Sequence, residues 1–300
     1  MARVAANGIE IDYGERGPGA GPPLVLLRGL STQRTAWPEV FLDDLAARGF
    51  RVLTPDNRDA GLSTSFDAAG PVDFGAALAR AARGEPVGAP YTLDDMALDV
   101  IGLLDALGVA RAHVAGISLG GMIAQVVAAG HGPRVGSLCS IMSSSGRPGL
   151  PGPTPEAAEA LLRRPASNSR EDVVRNNVET QKVFASPGFP ISDAELRAGF
   201  EAAYDRSHRP EGVGRQMAAA LASGSRVELL ERIRVPTLVI HGADDPLIPV
   251  ECGRDTARHV PGAELRIVPG MGHDVVPASS PLLAEAIAAH ALRADAGLPA

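Results

Sequence analysis

Ala112-His113-Val114-Ala115-Gly116-Ile117-Ser118-Leu119-Gly120-Gly121 leads directly into Met122-Ile123-Ala124-Gln125-Val126-Val127-Ala128-Ala129. The first six residues read as a short buried strand and the last eight as a helix. Ser118 falls on the sharp turn between them. Its hydroxyl is lifted above the sheet, and small residues two positions either side make room for the turn. A helix opening at Leu119 directs free backbone N–H groups and its positive dipole end toward any negative charge forming beside the serine. Gly is 34 of 300 residues, so a given serine is flanked in this way by chance about once in eighty. The strand–turn–helix context, more than the pentapeptide, carries the reading.

Working outward, strand and helix patterns alternate. Val4–Tyr13 alternates partially, with a turn at Asn7-Gly8. Leu24–Leu27 is a continuous apolar strand, followed by a helix over about 35–48 and the strand Arg51–Thr54. A helix over Leu93–Leu107 opens on Thr92 and Asp95, which form a capping box. After the serine strand and its helix come the strands Val135–Met142, Thr237–Ile240 and Glu264–Val268, then a helix over about 281–292. Continuous apolar strands separated by helices predict an α/β fold, with a mostly parallel central sheet flanked by helices.

Residues 143–226 break this rhythm. The Ser/Gly/Pro-rich stretch Ser143–Pro153 is followed by helical segments near 156–164, 171–185, 193–205 and 209–222, with no strand of core character. We expect a core domain made of 1–142 and 227–300, with 143–226 inserted as a helical lid over the carboxyl ends of the strands. A smaller insertion over 66–90 is expected to add to the same rim.

Composition narrows the partners. The net charge of −7 argues against nucleic acid or an anionic membrane surface. No run approaches eighteen uninterrupted apolar residues, so no transmembrane helix is expected. Met1–Gly8 lacks a long apolar region, so a signal peptide is not expected either. Cys139 and Cys252 are too few for a disulfide framework and lack metal-ligand spacing. With no ligand cluster and no dinucleotide fingerprint, neither metal nor organic cofactor is expected, and a reducing cytoplasm fits.

A serine hydroxyl is a poor nucleophile near neutrality and needs a base. Of seven histidines, only His273 lies in a loop directly after a core strand, in Val268-Pro269-Gly270-Met271-Gly272-His273. Loops at strand carboxyl ends are where sites form in such sheets. His113, His131, His208, His241, His259 and His290 read as filler. The base needs an acid to fix its tautomer. His241-Gly242-Ala243-Asp244-Asp245-Pro246 offers two, and Asp245 is favoured because Pro246 restricts it to extended geometry. Asp244 then faces solvent or caps the turn. The resulting order is serine, acid, histidine.

These three loops resemble those of α/β-hydrolase-fold serine esterases, and the resemblance runs over nearly the whole chain. Gly116–Gly121 is similar to that family's nucleophile elbow, His241–Pro249 to its acid loop and Pro269–His273 to its histidine loop. Leu26-Leu27-Arg28-Gly29-Leu30-Ser31 and Asp56-Asn57-Arg58-Asp59-Ala60-Gly61-Leu62-Ser63-Thr64 look closest to the branch of polyketide methylesterases that act on aclacinomycin. The resemblance implies a catalytic triad of Ser118, Asp245 and His273, with the backbone N–H groups of Leu30 and Leu119 as the oxyanion hole. Many relatives carry histidine where this chain has Arg28, which could reshape the entrance or bind a substrate anion. Asp56–Asp59 are assigned to hydrogen bonding of their loop.

The expected function is hydrolysis of carboxylic esters of small apolar molecules through an acyl-enzyme. A perhydrolase or haloperoxidase-like reaction, or hydrolysis of a carbon–carbon bond, would use the same triad. A non-catalytic ligand-binding member of the fold is the alternative of another class. Serine at the elbow argues against the dehalogenase and epoxide-hydrolase relatives, which place aspartate there.

Overall fold

The computed structural model describes residues 2–297. The chain begins with a hairpin, β1 (Ala2–Ala6) and β2 (Ile9–Arg16), then β3 (Pro23–Leu27), α1 (Glu39–Ala47) and β4 (Arg51–Pro55). It continues through α2 (Phe74–Ala82), α3 (Leu93–Ala106), β5 (Ala112–Ile117), α4 (Leu119–Gly130) and β6 (Val135–Ile141). Four helices follow without a strand: α5 (Pro155–Leu162), α6 (Arg170–Phe184), α7 (Asp193–Arg206) and α8 (Pro210–Ser223). The short α9 (Val227–Leu230) leads to β7 (Thr237–Gly242), α10 (Val250–His259), β8 (Glu264–Val268) and α11 (Ser280–Asp295).

The eight strands form one sheet in the order β1-β2-β4-β3-β5-β6-β7-β8. The β1–β2 and β2–β4 pairs are antiparallel and all later pairs parallel. Side chains alternate across each strand, and the apolar residues divide accordingly. Val25, Leu27, Val114 and Leu138 face a core built with α3 and α4. Leu24, Leu26, Ile117, Ile141 and Ile240 face a second core built with α1 and α11. Both faces are covered, which is why the parallel strands carry continuous apolar runs rather than alternation.

Local signals explain several boundaries. Asn7 and Gly8 both take positive φ, 49° and 75°, as a two-residue hairpin turn requires. The capping box of Thr92 and Asp95 is formed at the start of α3. Two expectations are revised. The helix expected over 35–48 is a short 3₁₀ turn, Arg34–Ala36, and then α1, because Pro38 cannot continue a helical hydrogen-bond ladder. The strand Glu264–Val268, expected as a core strand, is the sheet edge, and Leu265 is exposed.

The inserted helices lie against the loops that follow β3, β4 and β8. Gln33 Nε2 donates to the carbonyls of Ala203 and Ser207, and Ser207 Oγ donates to Gly61 O. Gln216 Oε1 accepts from Ser31 N–H, and Gly188 N–H donates to Gly270 O. Helix α2, from the smaller insertion, packs on α8.

Candidate active site

Ser118 lies between β5 and α4 with φ 54° and ψ −120°, a conformation that costs a non-glycine residue about 1–3 kcal/mol. The surrounding contacts impose it. Ser118 N–H donates to Ile141 O at the end of β6, and Ser143 Oγ donates to Ser118 O at 2.8 Å. A Cβ on Gly116 would lie 2.1 Å from Gly120 O, and one on Gly120 would lie 2.3 Å from Leu27 O. Glycine at both positions lets the strand, the helix start and the end of β3 meet at this turn.

That close approach brings Arg28-Gly29-Leu30 beside the serine. A Cβ on Gly29 would lie 3.2 Å from Ser118 Cβ and 3.7 Å from its Oγ. Leu30 N–H follows in the same loop, and Leu119 N–H is the first of α4. Neither has a backbone acceptor among the described residues. The loop is fixed from beneath by Asn57 Nδ2, which donates to Arg28 O at 3.0 Å, and from above by Gln216 on Ser31.

At the other side of the site, His273 Nδ1 meets Asp245 Oδ2 at 2.7 Å. The second oxygen of Asp245 accepts from Leu247 N–H at 2.9 Å and Ile248 N–H at 2.8 Å, so the carboxylate is held by its own loop. Asp244 points elsewhere, and its Oδ2 caps the neighbouring turn by accepting from Gly270 N–H at 2.8 Å. Among the described residues no hydrogen bond joins Ser118 Oγ to the His273 ring. Such contacts often tighten only once substrate is bound.

The histidine loop is clasped by the end of α6. His273 N–H donates to Phe184 O at 2.8 Å, and the Phe184 ring meets the imidazole edge-on. Ser186 Oγ accepts from Gly272 N–H and itself donates to Asp274, whose other oxygen accepts from Ser186 N–H. Burial pushes the Asp274 carboxyl up, and the bonds from Ser186 offset this only in part. Nothing in the sequence pointed to Ser186. Its partner Asp274 lies 88 residues downstream, and only the fold brings the two together.

Arg28 is half-buried. Its guanidinium lies over the Trp37 indole, 4.6 Å from the ring centroid, with Nε and Nη1 buried and unpartnered. Burial pulls its pKa down to about 10, and the nearby Asp274 charge resists that shift. Asp56–Asp59 bond their surroundings. Asp56 accepts from Arg34 N–H and Leu62 N–H, Arg58 forks onto Asp99, and Asp59 binds Arg215 and Tyr91. The other histidines lie outside this contact. His241 is the exception, standing 3.6 Å from Asp245 Oδ2. Among the described residues no group of three or more His, Cys, Asp or Glu side chains could hold a metal ion, and no helix is long and apolar enough to cross a membrane.

Comparison with known proteins gives the family and the fold. A family model described as alpha/beta hydrolase fold matches residues 22–277. The chain is 30% identical to rhodomycin D methylesterase of Streptomyces sp. strain C5, covering 91% of this chain and 92% of that protein. It is 27% identical to a 2-hydroxy-6-oxononadienedioate/2-hydroxy-6-oxononatrienedioate hydrolase of Burkholderia vietnamiensis, covering 90% and 87%. The fold is similar to that of a meta-cleavage product hydrolase from Pseudomonas fluorescens, with TM-score 0.76, 20% identity and 98% of each chain covered.

Proposed function

The chain belongs to the alpha/beta hydrolase family, and we propose that within it the protein is a serine esterase acting on small apolar carboxylic esters. The observation that carries this reading is the 2.7 Å contact of His273 Nδ1 with Asp245 Oδ2 on loops beside the strained turn at Ser118. Asp245 orients the imidazole so that Nε2 is the basic nitrogen. His273 takes the Ser118 proton as Oγ attacks the ester carbonyl. The N–H groups of Leu30 and Leu119 receive the oxyanion, each worth about 3 kcal/mol in the transition state. His273 then returns the proton to the leaving alcohol, and an acyl-enzyme forms on Ser118. Water, activated by the same imidazole, releases the acid. The helices of 143–226 act as a lid over this site, and their clasp on the histidine loop supports that role.

The similarity to rhodomycin D methylesterase favours a methyl ester as substrate. A second reading, hydrolysis of a carbon–carbon bond, draws on the similarity to the oxononadienedioate hydrolase. Product analysis separates the two, since only ester cleavage releases an alcohol.

A fluorophosphonate probe tests the nucleophile. The native protein is expected to label on Ser118, and Ser118→Ala to lose both labelling and ester turnover while melting at an unchanged temperature. An adduct on Ser31 or Ser143 instead would reject the assignment.

A further inference from the structure

Asp245 lies between two imidazoles. His273 meets Oδ2 at 2.7 Å, and His241 Nε2 stands 3.6 Å from the same oxygen. His241 is the penultimate residue of β7 and is fully buried. Its Nε2 lies 2.7 Å from Ile248 O. A carbonyl can only accept, so Nε2 carries the proton. Nδ1 is buried and has no partner. The backbone of α10 closes that edge of the ring, since a Cβ on Gly253 would lie 2.3 Å from Nδ1. A second proton on Nδ1 would therefore have no acceptor.

We infer that His241, neutral and protonated on Nε2, is a positioning residue for Asp245, holding the acid loop so that Oδ2 stays on His273. The hydrogen-bond circuit gives the mechanism. His241 fixes the carbonyl of Ile248, and the N–H of the same residue holds Asp245 Oδ1. With Oδ1 tied by Leu247 and Ile248, the carboxylate cannot rotate, and Oδ2 remains directed at His273 Nδ1. The charged or titratable groups facing His241 are Asp245 from its own loop, Glu251 from α10 and His273 from the loop after β8. Burial pulls the His241 pKa down, and the Ile248 carbonyl and the two acidic groups counter it without reversing it. With Nε2 on a carbonyl and no acceptor at Nδ1, the ring is a fixed dipole rather than a second base. This role rests on the reading of Asp245 as the catalytic acid.

The test uses the full-length protein with a methyl ester substrate. His241→Phe removes the donor and keeps a ring. It is expected to lower kcat by about 10- to 100-fold with little change in KM, since a small misplacement of a catalytic group has effects of that order. The acidic limb of kcat should also move to lower pH, because a loosened Asp245 stabilises the imidazolium less. His241→Gln, whose amide reaches toward Ile248 O, should restore both. A folded His241→Phe with unchanged kcat, a loss without movement of the limb, or failure of His241→Gln to restore it would overturn the inference. Should His241→Phe not fold, nitrogen chemical shifts of the native protein decide. One neutral ring protonated on Nε2 and invariant from pH 5 to 8 supports the role, and a His241 that titrates or carries its proton on Nδ1 rejects it. Asp245→Asn separates this inference from its premise. If that variant stays active, the triad reading fails. If it is inactive while the His241 variants behave as native, only the positioning role fails.

Discussion

Helices α4 and α7 are of similar length and are held by opposite means. Nine of the twelve residues of α4 are buried, against the sheet and α3, whereas α7 runs fourteen residues without burying one. Helix α7 is secured at its C-terminal end instead. Arg206 reaches Asp12 at 3.0 Å, Asp56 at 2.8 Å and the Gln33 amide oxygen at 2.7 Å, and Gln33 bonds back to Ala203 and Ser207. Helix α8 combines the two, burying Ala218 and Ala219 while Arg215 bonds Asp59 and Asp67. Apolar burial is non-directional and sums over area. A buried ion pair holds only if its geometry and protonation persist. The sheet and its helices thus form a rigid platform, whereas α7, and α8 in part, are attached by polar contacts that conditions can loosen.

The largest expected effect falls on the platform. Asp245→Asn should lower kcat by about 10⁴-fold, the scale seen when a triad acid loses its charge. Asp244→Asn, which affects only the cap on Gly270 N–H, should cost less than about tenfold. Steady-state kinetics on the two variants compare them directly. Equal losses would mean that the strand-end loop acts as a whole and not through one carboxylate.

Stability variants come next. Ile240→Ala, fully buried in the second core, should destabilise global unfolding by about 2–5 kcal/mol in a denaturant titration. Arg215→Met leaves Asp59 buried without its partner and should cost about 3 kcal/mol. Hydrogen exchange should place that loss in α8 and not in β5. Uniform loss across both elements would dissolve the distinction between platform and attachment.

Acid gives a milder test. Burial pushes the Asp59 carboxyl up, but bonds from Arg215, Phe66 N–H and Tyr91 outweigh this and hold it below the usual carboxylate range. A depressed folded pKa gives stability that is complete above the unfolded value, about 3.9, and lost as pH falls through the folded one. Amides of α8 should therefore keep native protection at pH 5 and lose it at lower pH before those of β5 do. The smallest effect belongs to exposed pairs on the inserted helices. Arg197→Ala, which removes contacts to Glu171 and Glu201, should leave the melting temperature unchanged within error.

The platform was legible because its signals are local. The continuous apolar run Leu24–Leu27 and the apolar-and-small stretch Val135–Ile141 form the strands they suggest, and the glycines around Ser118 announce a turn that only they permit. Pro246 favoured Asp245 over Asp244 as partner of the imidazole, and in the structure Asp245 meets His273 while the N–H groups of Leu247 and Ile248 hold its other oxygen. The attachments were illegible for the complementary reason. Arg206, Arg215 and Ser186 carry no local signal, because their partners lie 88 to 194 residues away. His241 looked like strand filler because its meaning depends on which atom meets Ile248 O.

The sequence by itself determined the sheet, its helices, the turn that exposes Ser118 and the loops bearing Asp245 and His273. Each depends on periodicity or backbone freedom within a few residues. Only the tertiary structure decided that Arg28 stacks on Trp37, that Ser186 clasps the loop of His273 and that His241 stands behind Asp245. Those contacts are directional bonds between distant segments, and their existence is settled by packing, which no local pattern encodes.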